Sequence, residues 1–277
     1  MTDPPADPPA DPSTQPAEID AVTAAMVDAI ALVPAYHEAE RVGDTVRALR
    51  KLPQVAEVLV VDDGSTDDTP ALALDAGAHC LALRANRGKG GALNAGLVAL
   101  TARVRERITP RPKVLLLADA DLAASAELLG GLLAPVIDDE ADLAIADLPA
   151  QDGAGGFGLA MGLARLGIQR ASGRRMAEPL SGQRALRWDL LESGVLGPFA
   201  PGFGVEVAMT IQALEAGLRV VEVELDLHHA ATGKDLAGIR HRAVQAAAIA
   251  RVLAGRELRQ ARADLAALVG LARQGRS

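Results

Sequence analysis

Short apolar segments alternate with amphipathic segments along most of the chain. The apolar segments predict strands at Ala29–Val33, Glu57–Val61, His79–Leu83, Val114–Leu117, Leu143–Ala146 and Leu218–Leu227. The amphipathic segments predict helices at Asp44–Leu52, Ala71–Ala76, Gly91–Val104, Ala124–Leu133, Phe157–Gly167, Gly204–Ala216, Leu236–Ala254 and Glu257–Ala272. Because such alternation needs crossover connections, it predicts an α/β fold with a mostly parallel central sheet flanked by helices. Helices predominate after residue 148, which predicts a helical carboxyl-terminal region.

The start of the chain departs from this pattern. The first sixteen residues repeat an Ala-Asp-Pro-Pro theme and hold six of the sixteen prolines. Proline blocks helix and sheet hydrogen bonds, and a segment so poor in apolar residues cannot bury a core. Residues 1–20 are therefore predicted to form a disordered acidic tail, and residues 21–277 a single domain.

Composition excludes several classes of protein. No apolar run reaches the roughly 18 residues that a transmembrane helix needs, and no basic-then-apolar signal peptide opens the chain. The single cysteine, Cys80, excludes an internal disulfide framework and a cysteine-cluster metal site. Aromatic residues make up only 2% of the chain, which argues against stacking on nucleic-acid bases. We therefore expect a soluble, cytoplasmic protein that does not bind nucleic acid.

The net charge of −8 is unevenly distributed. Residues 1–40 hold eight acidic and no basic residues, whereas residues 232–277 hold nine basic and three acidic residues. A basic segment of this kind can contact phosphates or an anionic lipid surface, or it can be a solvated helix face. Charge alone leaves both alternatives open, and with them a peripheral membrane contact.

Polar residues follow the predicted parallel strands at the sheet edge where ligands of open α/β sheets bind. Asp119 and Asp121 follow the fourth strand, and their side chains point the same way in an extended segment. Two such carboxylates repel each other unless a cation lies between them, and Mg²⁺ or Mn²⁺ favours these oxygen ligands. The alternative is that one aspartate caps the following helix.

Three further sets of polar residues are also candidates for ligand binding. Asp62 and Asp63 end the second strand, where a carboxylate can accept from a nucleobase imide or a ribose hydroxyl. Lys89 lies on a glycine-rich loop that enters a helix, an arrangement that suits a diphosphate or a solvated turn. His228 and His229 end the late strand and face opposite ways, so at most one of them can join a given site.

Together these residues resemble glycosyltransferase family 2, which has the GT-A fold. The blocks that match the family are Val33–Glu38, Val60–Asp67, Gly88–Leu93 and Asp119–Asp121. Three further matches are similar to the branch of glucosyl-3-phosphoglycerate synthases: Pro179–Gly182, Phe199–Glu206 and His229. The resemblance implies a metal-dependent enzyme that moves a sugar from a UDP- or GDP-sugar to a small or lipid-linked acceptor. It also implies a nucleotide-binding half at 21–147 and an acceptor-binding half at 148–277, and it leaves a homodimer open.

The resemblance also implies roles for individual residues. The substrate-binding set comprises Pro34, Ala35, Tyr36, Glu38, Asp62, Asp63, Lys89, Asp119, Ser181, Gly182 and Gly204. Within it, Pro34–Glu38 and Asp63 would hold the nucleoside, Lys89 the nucleobase or diphosphate, and Asp119 the ribose side. Asp121 and His229 would bind Mg²⁺ or Mn²⁺. Glu206 lies in the acceptor region and is the candidate catalytic base.

One residue and one short segment depart from the family pattern. His37 stands where the family usually has Asn, and Gly156–Leu159 lacks the Arg and Thr that serve a phosphoglycerate acceptor. The acceptor therefore stays open, as does inversion or retention at the transferred sugar. A nucleotidyltransferase of related fold is one alternative, although it would usually show a glycine-rich loop after the first strand. A catalytically silent nucleotide-binding protein is another.

Overall fold

Seven strands form one central sheet in the part of the chain that the computed structural model describes, residues 26–147, 158–227 and 246–256. The strands are β1 (Val27–Ala35), β2 (Val55–Asp62), β3 (His79–Ala82), β4 (Pro112–Leu117), β5 (Leu143–Asp147), β6 (Arg184–Arg187) and β7 (Val220–Glu224). Their order in the sheet is β3-β2-β1-β4-β6-β5-β7. Only β6 runs antiparallel to its neighbours among these strands, so the prediction of a mostly parallel sheet is confirmed.

Helices connect the strands and cover both faces of the sheet. They are α1 (Val42–Arg50), α2 (Thr69–Asp75), α3 (Gly88–Arg105), α4 (Gly130–Ile137), α5 (Gly158–Ser172), α6 (Trp188–Glu192), α7 (Val205–Glu215) and α8 (246–256). Short 3₁₀ helices precede α4 and α7, at Ala123–Leu129 and Gly202–Gly204. No helix within the described ranges is long and apolar enough to cross a membrane. A cytoplasmic location stays a prediction.

The apolar character of the strands follows from burial on both faces. Along β1, Ala31 and Val33 belong to one core cluster, whereas Ile30 and Leu32 belong to the cluster on the opposite face, and all four are fully buried. A strand covered on both sides reads as a continuous apolar run rather than as an alternating one. This is why β1, β2 and β4 are the strands that the sequence predicts most directly.

Several predicted elements differ in their limits. The helix predicted at Ala124–Leu133 is a 3₁₀ helix that continues into α4, and the strand predicted at Leu218–Leu227 is confined to Val220–Glu224. Neither β6 nor α6 is among the predicted elements, because Arg184-Ala-Leu-Arg187 does not read as an apolar run. The tail at 1–20 and the helix at Glu257–Ala272 lie outside the described residues, as does the first half of Leu236–Ala254.

Helix α3 approaches the sheet closely because it presents a glycine at the contact. A Cβ atom on Gly96 would lie 2.4 Å from Leu32 Cδ1 and 2.8 Å from Val61 Cγ2, which are buried core atoms. A methyl group there could be accommodated only by moving the helix away from β1 and β2. Because Lys89 lies in the first turn of the same helix, this contact also sets the position of Lys89.

We expect Gly96→Ala to destabilise the protein by about 1–3 kcal/mol through overpacking, which lowers Tm by several degrees. Gly162→Ala on α5 is the matched control, because no atom lies within 4 Å of the added Cβ. The control should leave Tm unchanged or raise it, since alanine is the better helix former. Thermal unfolding followed by circular dichroism measures both. Equal Tm values for the two variants would contradict the close packing of α3.

Candidate functional site

A cleft of about 600 Å³ opens at the carboxyl ends of β1, β2 and β4. Its wall includes most of the residues singled out in the sequence: Pro34, Ala35, Tyr36, Glu38, Asp63, Lys89, Asp119, Asp121 and Glu206. Pro34 and Ala35 end β1, Tyr36 and Glu38 follow it, Asp63 follows β2, and the two aspartates follow β4. Lys89 and Glu206 lie in the first turns of α3 and α7. The fold therefore gathers side chains from distant parts of the sequence at one edge.

The two aspartates after β2 have different surroundings. Asp63 lines the cleft, is nearly fully buried, and accepts a 2.8 Å hydrogen bond from the backbone N–H of Arg87. Asp62 is equally buried but accepts from the backbone N–H of Ser65, at 3.2 Å and 3.3 Å to its two oxygens. Asp62 is not among the residues that line the cleft, so the structure shows it shaping the turn after β2.

The segment after β1 is fixed by the turn after β2. His37 has a positive φ of 57°, and its backbone N–H donates to Ser65 Oγ at 2.9 Å. The backbone N–H of Glu38 donates to Thr69 Oγ1, also at 2.9 Å. Left-handed backbone is uncommon outside glycine, and asparagine, aspartate and histidine adopt it more often than other residues do. Tyr36 is left 47% exposed at the cleft rim.

Lys89 bridges two carboxylates that come from opposite halves of the chain. Its Nζ lies 2.6 Å from Asp119 Oδ1 and 2.9 Å from Glu206 Oε1. Burial alone would lower the pKa of Lys89, but the two carboxylates outweigh it and raise the pKa well above its usual range. The ammonium group is therefore charged at any physiological pH. The ammonium group thereby links the segment that follows β4 to the start of α7.

The loop before β6 closes over this ion pair. A Cβ atom on Gly182 would lie 2.4 Å from Lys89 Nζ and 2.6 Å from Asp119 Oδ2, so a side chain there would displace the end of the lysine or of the aspartate. The neighbouring Gln183 Nε2 donates to Asp119 Oδ2 at 3.1 Å. Ser181 is buried, and its hydroxyl has no hydrogen-bond partner among the described residues. The sequence singled out Ser181 and Gly182 but not Gln183.

Gly204 lies away from the cleft and serves a different contact. A Cβ atom on Gly204 would lie 2.6 Å from Val252 Cγ2 and 3.2 Å from Ala248 O, so its small size lets α8 pack against the start of α7. Glu206 is two residues further on and is 7% exposed. Gly204 therefore positions Glu206 rather than lining the cleft.

Negative charge accumulates on the β4 side of the cleft. Burial raises the pKa of Glu38, and the nearby charges of Asp121 and Asp119 raise it further, against the opposing effect of the Arg41 guanidinium at 3.0 Å. Among the described residues, no three His, Cys, Asp or Glu side chains form a complete metal site. The predicted ligand His229 and its neighbour His228 lie outside the described residues.

Sequence reasoning missed Glu178, which lies just before the Ser181–Gly182 loop. Burial raises the pKa of its carboxyl to about 7; Arg165 lowers it, whereas Asp147 and Glu222 raise it. Glu222 accepts hydrogen bonds from the backbone N–H groups of Ala177 and Glu178, at 3.1 Å and 2.8 Å. These partners come from three separate elements, so nothing in the local sequence pattern indicates them.

The sheet, the cleft at its carboxyl edge and the Asp119-Ala120-Asp121 segment after β4 define the class of GT-A glycosyltransferases. The model of Glycosyl transferase family 2 matches residues 30–183. The chain belongs to glycosyltransferase family 2. This assigns glycosyltransferase activity.

Relatives within the family transfer sugars to different acceptors. The chain is 30% identical over 72% of its length to glucosyl-3-phosphoglycerate synthase from Mycolicibacterium smegmatis, of which it covers 68%. It is also 30% identical over 71% of its length to undecaprenyl-phosphate mannosyltransferase from Micrococcus luteus, of which it covers 82%. The names of these relatives imply a small phosphorylated acceptor in one case and a lipid-linked acceptor in the other.

The fold is shared with a solved structure of glucosyl-3-phosphoglycerate synthase from Mycobacterium tuberculosis. That structure contains Mn²⁺, UDP-glucose and phosphoglyceric acid. The TM-score is 0.65 at 25% identity, and the likeness covers 86% of this chain and 83% of the other. The GT-A fold and the resemblance to this branch are therefore confirmed.

Gly182→Ala should separate Lys89 from Asp119, since the added methyl group would lie 2.4 Å from the ammonium nitrogen. We expect binding of UDP in the presence of Mn²⁺ to weaken by about tenfold or more, because the lysine and the aspartate can no longer keep their positions. Isothermal titration calorimetry measures the affinity, with Gly162→Ala as the control. Unchanged UDP affinity in the Gly182 variant would show that this loop does not shape the site.

Glu178 should make stability depend on pH. Its folded-state pKa of about 7 lies above the ordinary value of 4.5, so the folded protein binds the extra proton between these two values. The contribution of Glu178 to the free energy of unfolding is therefore largest below pH 4.5 and is lost as pH rises through about 7. Between pH 5 and 8 the wild type should lose on the order of 2 kcal/mol more than Glu178→Gln in urea unfolding. Substitution of the exposed Glu140 should leave the wild-type pH dependence intact, and identical slopes for Glu178→Gln and wild type would contradict this assignment.

Proposed function

We propose that the protein transfers a hexose from a nucleoside-diphosphate sugar to an acceptor hydroxyl, with a divalent cation as cofactor. The observation that carries the proposal is the bridge from Lys89 to Asp119 and Glu206, which brings the predicted donor and acceptor residues together in one cleft. Membership of family 2 supports the reaction class, and the complex with Mn²⁺ and UDP-glucose supports the kind of donor.

The donor would lie along the edge formed by β1, β2 and α3. Tyr36 and Asp63 line its nucleoside end, where the buried carboxylate of Asp63 could accept from a base or ribose hydroxyl. At the diphosphate end, Lys89 supplies a permanent positive charge in the first turn of α3, and the amino-terminal end of a helix favours an anion. UDP- and GDP-sugars both fit these contacts.

The carboxylates of the cleft fit a divalent cation. Glu38, Asp119 and Asp121 line the cleft together, and the pKa of Glu38 is raised mainly by burial, with a smaller contribution from the two aspartates. A divalent cation would offset the negative charge of these carboxylates. Asp121 and His229 are the proposed ligands of Mg²⁺ or Mn²⁺. When bound, such an ion offsets the charge that develops on a departing diphosphate.

Glu206 is the proposed catalytic base. It is nearly buried, lines the cleft from the acceptor side, and is held 2.9 Å from Lys89. In an inverting reaction its carboxylate would take the proton from the acceptor hydroxyl as oxygen attacks the sugar. In a retaining reaction it would position the acceptor instead.

The acceptor is either small and phosphorylated or lipid-linked. The relatives include both kinds, and Gly156–Leu159 lacks the Arg and Thr that would support phosphoglycerate. Assays with 3-phosphoglycerate and with undecaprenyl phosphate in detergent therefore separate the two acceptor classes, with UDP-glucose and GDP-mannose as donors.

The proposal predicts that UDP or GDP binds only with a divalent cation present. Calorimetric titration with and without Mn²⁺ measures this, and Asp121→Asn should abolish the metal-dependent component while leaving Tm within a few degrees of wild type. Asp44→Asn, at an exposed pair with Arg47, is the control and should bind as wild type does. Metal-independent nucleotide binding, or full transferase activity in excess chelator, would refute the proposed cofactor.

The two adjacent histidines provide a second test. His229→Ala should weaken Mn²⁺ binding and turnover by about tenfold or more, whereas His228→Ala should cost far less. A neutral imidazole is required of a ligand, so Mn²⁺ affinity should also fall as pH drops through about 6–7. Equal losses from both substitutions, or a larger loss from His228→Ala, would contradict the assignment of His229 as the metal ligand.

A further inference from the structure

Arg184 is an unusual residue to find at the centre of the sheet. It lies on β6, is 1% exposed, and is among the largest fully buried side chains of the described residues. Its guanidinium donates from Nε to Ser181 O at 2.9 Å, from Nη1 to Thr210 Oγ1 at 2.9 Å and from Nη2 to Pro179 O at 3.1 Å. These partners are neutral, and no ion pair of Arg184 is present in the described part of the chain.

A buried cation without a carboxylate partner is costly for the fold. Burial lowers the pKa of Arg184 to about 10, and the more distant charges of Glu206, Glu222 and Asp119 offset only part of this effect. Its neighbours on β6, Ala185 and Leu186, are apolar and fully buried. An apolar side chain at position 184 would remove this charge but would leave the carbonyls of Ser181 and Pro179 without the hydrogen bonds that Arg184 donates. The arginine is therefore explained by the groups that its hydrogen bonds join.

The three hydrogen bonds of Arg184 reach both sides of the Lys89 bridge. Pro179 and Ser181 belong to the loop whose Gly182 closes over Lys89 and Asp119. Thr210 lies one turn after Glu206 on α7, and its hydroxyl also donates to Glu206 O at 2.9 Å. One planar, rigid group thus joins the loop above Lys89 to the helix that carries the proposed base.

We propose that Arg184 is the positioning residue of the transferase site, which holds Glu206 at the correct distance from the donor and places a positive charge beneath Glu206 and Asp119. The inference rests on the proposed function, because it assigns a purpose to the position of Glu206. It adds a residue that touches neither the donor nor the acceptor. The position of Arg184 therefore affects kcat rather than nucleotide affinity.

The test compares Arg184→Met with Arg184→Lys, using UDP-glucose hydrolysis in the presence of Mn²⁺, in which water takes the place of the acceptor. Calorimetric titration with UDP and Mn²⁺ gives the fraction of competent sites and the affinity. We expect kcat per UDP-binding site to fall by about tenfold or more in Arg184→Met, with UDP affinity within about threefold of wild type. Arg184→Lys should recover part of kcat, because it restores the charge but not the three-way geometry.

Arg187→Met is the matched control, since Arg187 ends the same strand but pairs with Asp139, Asp142 and Asp189 at the surface. It should change Tm without changing kcat per UDP-binding site. The inference is overturned if the per-site kcat of Arg184→Met stays within twofold of wild type, or if Arg184→Lys is no better than Arg184→Met.

Thr210→Val keeps the proposal testable if Arg184→Met does not fold. Valine has the shape of threonine but lacks the hydroxyl that joins Arg184 to α7, so per-site kcat should fall by about threefold to tenfold with UDP affinity retained. An unchanged per-site kcat would overturn the inference. Failure of the proposed function is distinguishable, because the wild type would then show neither metal-dependent UDP binding nor hydrolysis of any sugar nucleotide tested.

Discussion

The ammonium group of Lys89 is the point on which the site depends. It lies between Asp119, at the end of β4, and Glu206, at the start of α7, with distances of 2.6 Å and 2.9 Å. Without it, the half-buried carboxylate of Asp119 and the buried carboxylate of Glu206 would lose the counter-charge that they share, which is unfavourable. A side chain at position 182 would displace the ammonium group, so glycine there keeps the ion pair in place. Close packing of α3 against the sheet at Gly96 fixes the backbone position of Lys89.

The charge balance around Lys89 bears on how a donor could bind. Among the described residues that line the cleft, Glu38, Asp63, Asp119, Asp121 and Glu206 are acidic and Lys89 is basic, and Arg41 pairs with Glu38. A nucleoside diphosphate adds more negative charge to this surface. The proposed divalent cation would offset this added charge, because carboxylate oxygens and diphosphate oxygens can share such an ion as ligands.

Much of the fold could be predicted from the sequence because the strands are buried on both faces. Val114–Leu117 and Glu57–Val61 read as apolar runs, and of the aspartates that follow them Asp63, Asp119 and Asp121 line the cleft, whereas Asp62 does not. Arg184 and Glu178 could not be found in this way. Each depends on partners that are distant in the chain, such as Thr210 for Arg184 and Glu222 for Glu178, so only the tertiary structure reveals them.

A double-mutant cycle on Lys89 and Glu206 tests most directly whether this bridge joins the two halves of the site. The free energy of unfolding in urea would be measured for wild type, Lys89→Met, Glu206→Gln and the double variant. Residues in one ion-pair network should show a coupling energy of about 1–3 kcal/mol, so the double variant should be less destabilised than the sum of the single variants. Additivity within about 0.5 kcal/mol would contradict the central role of Lys89.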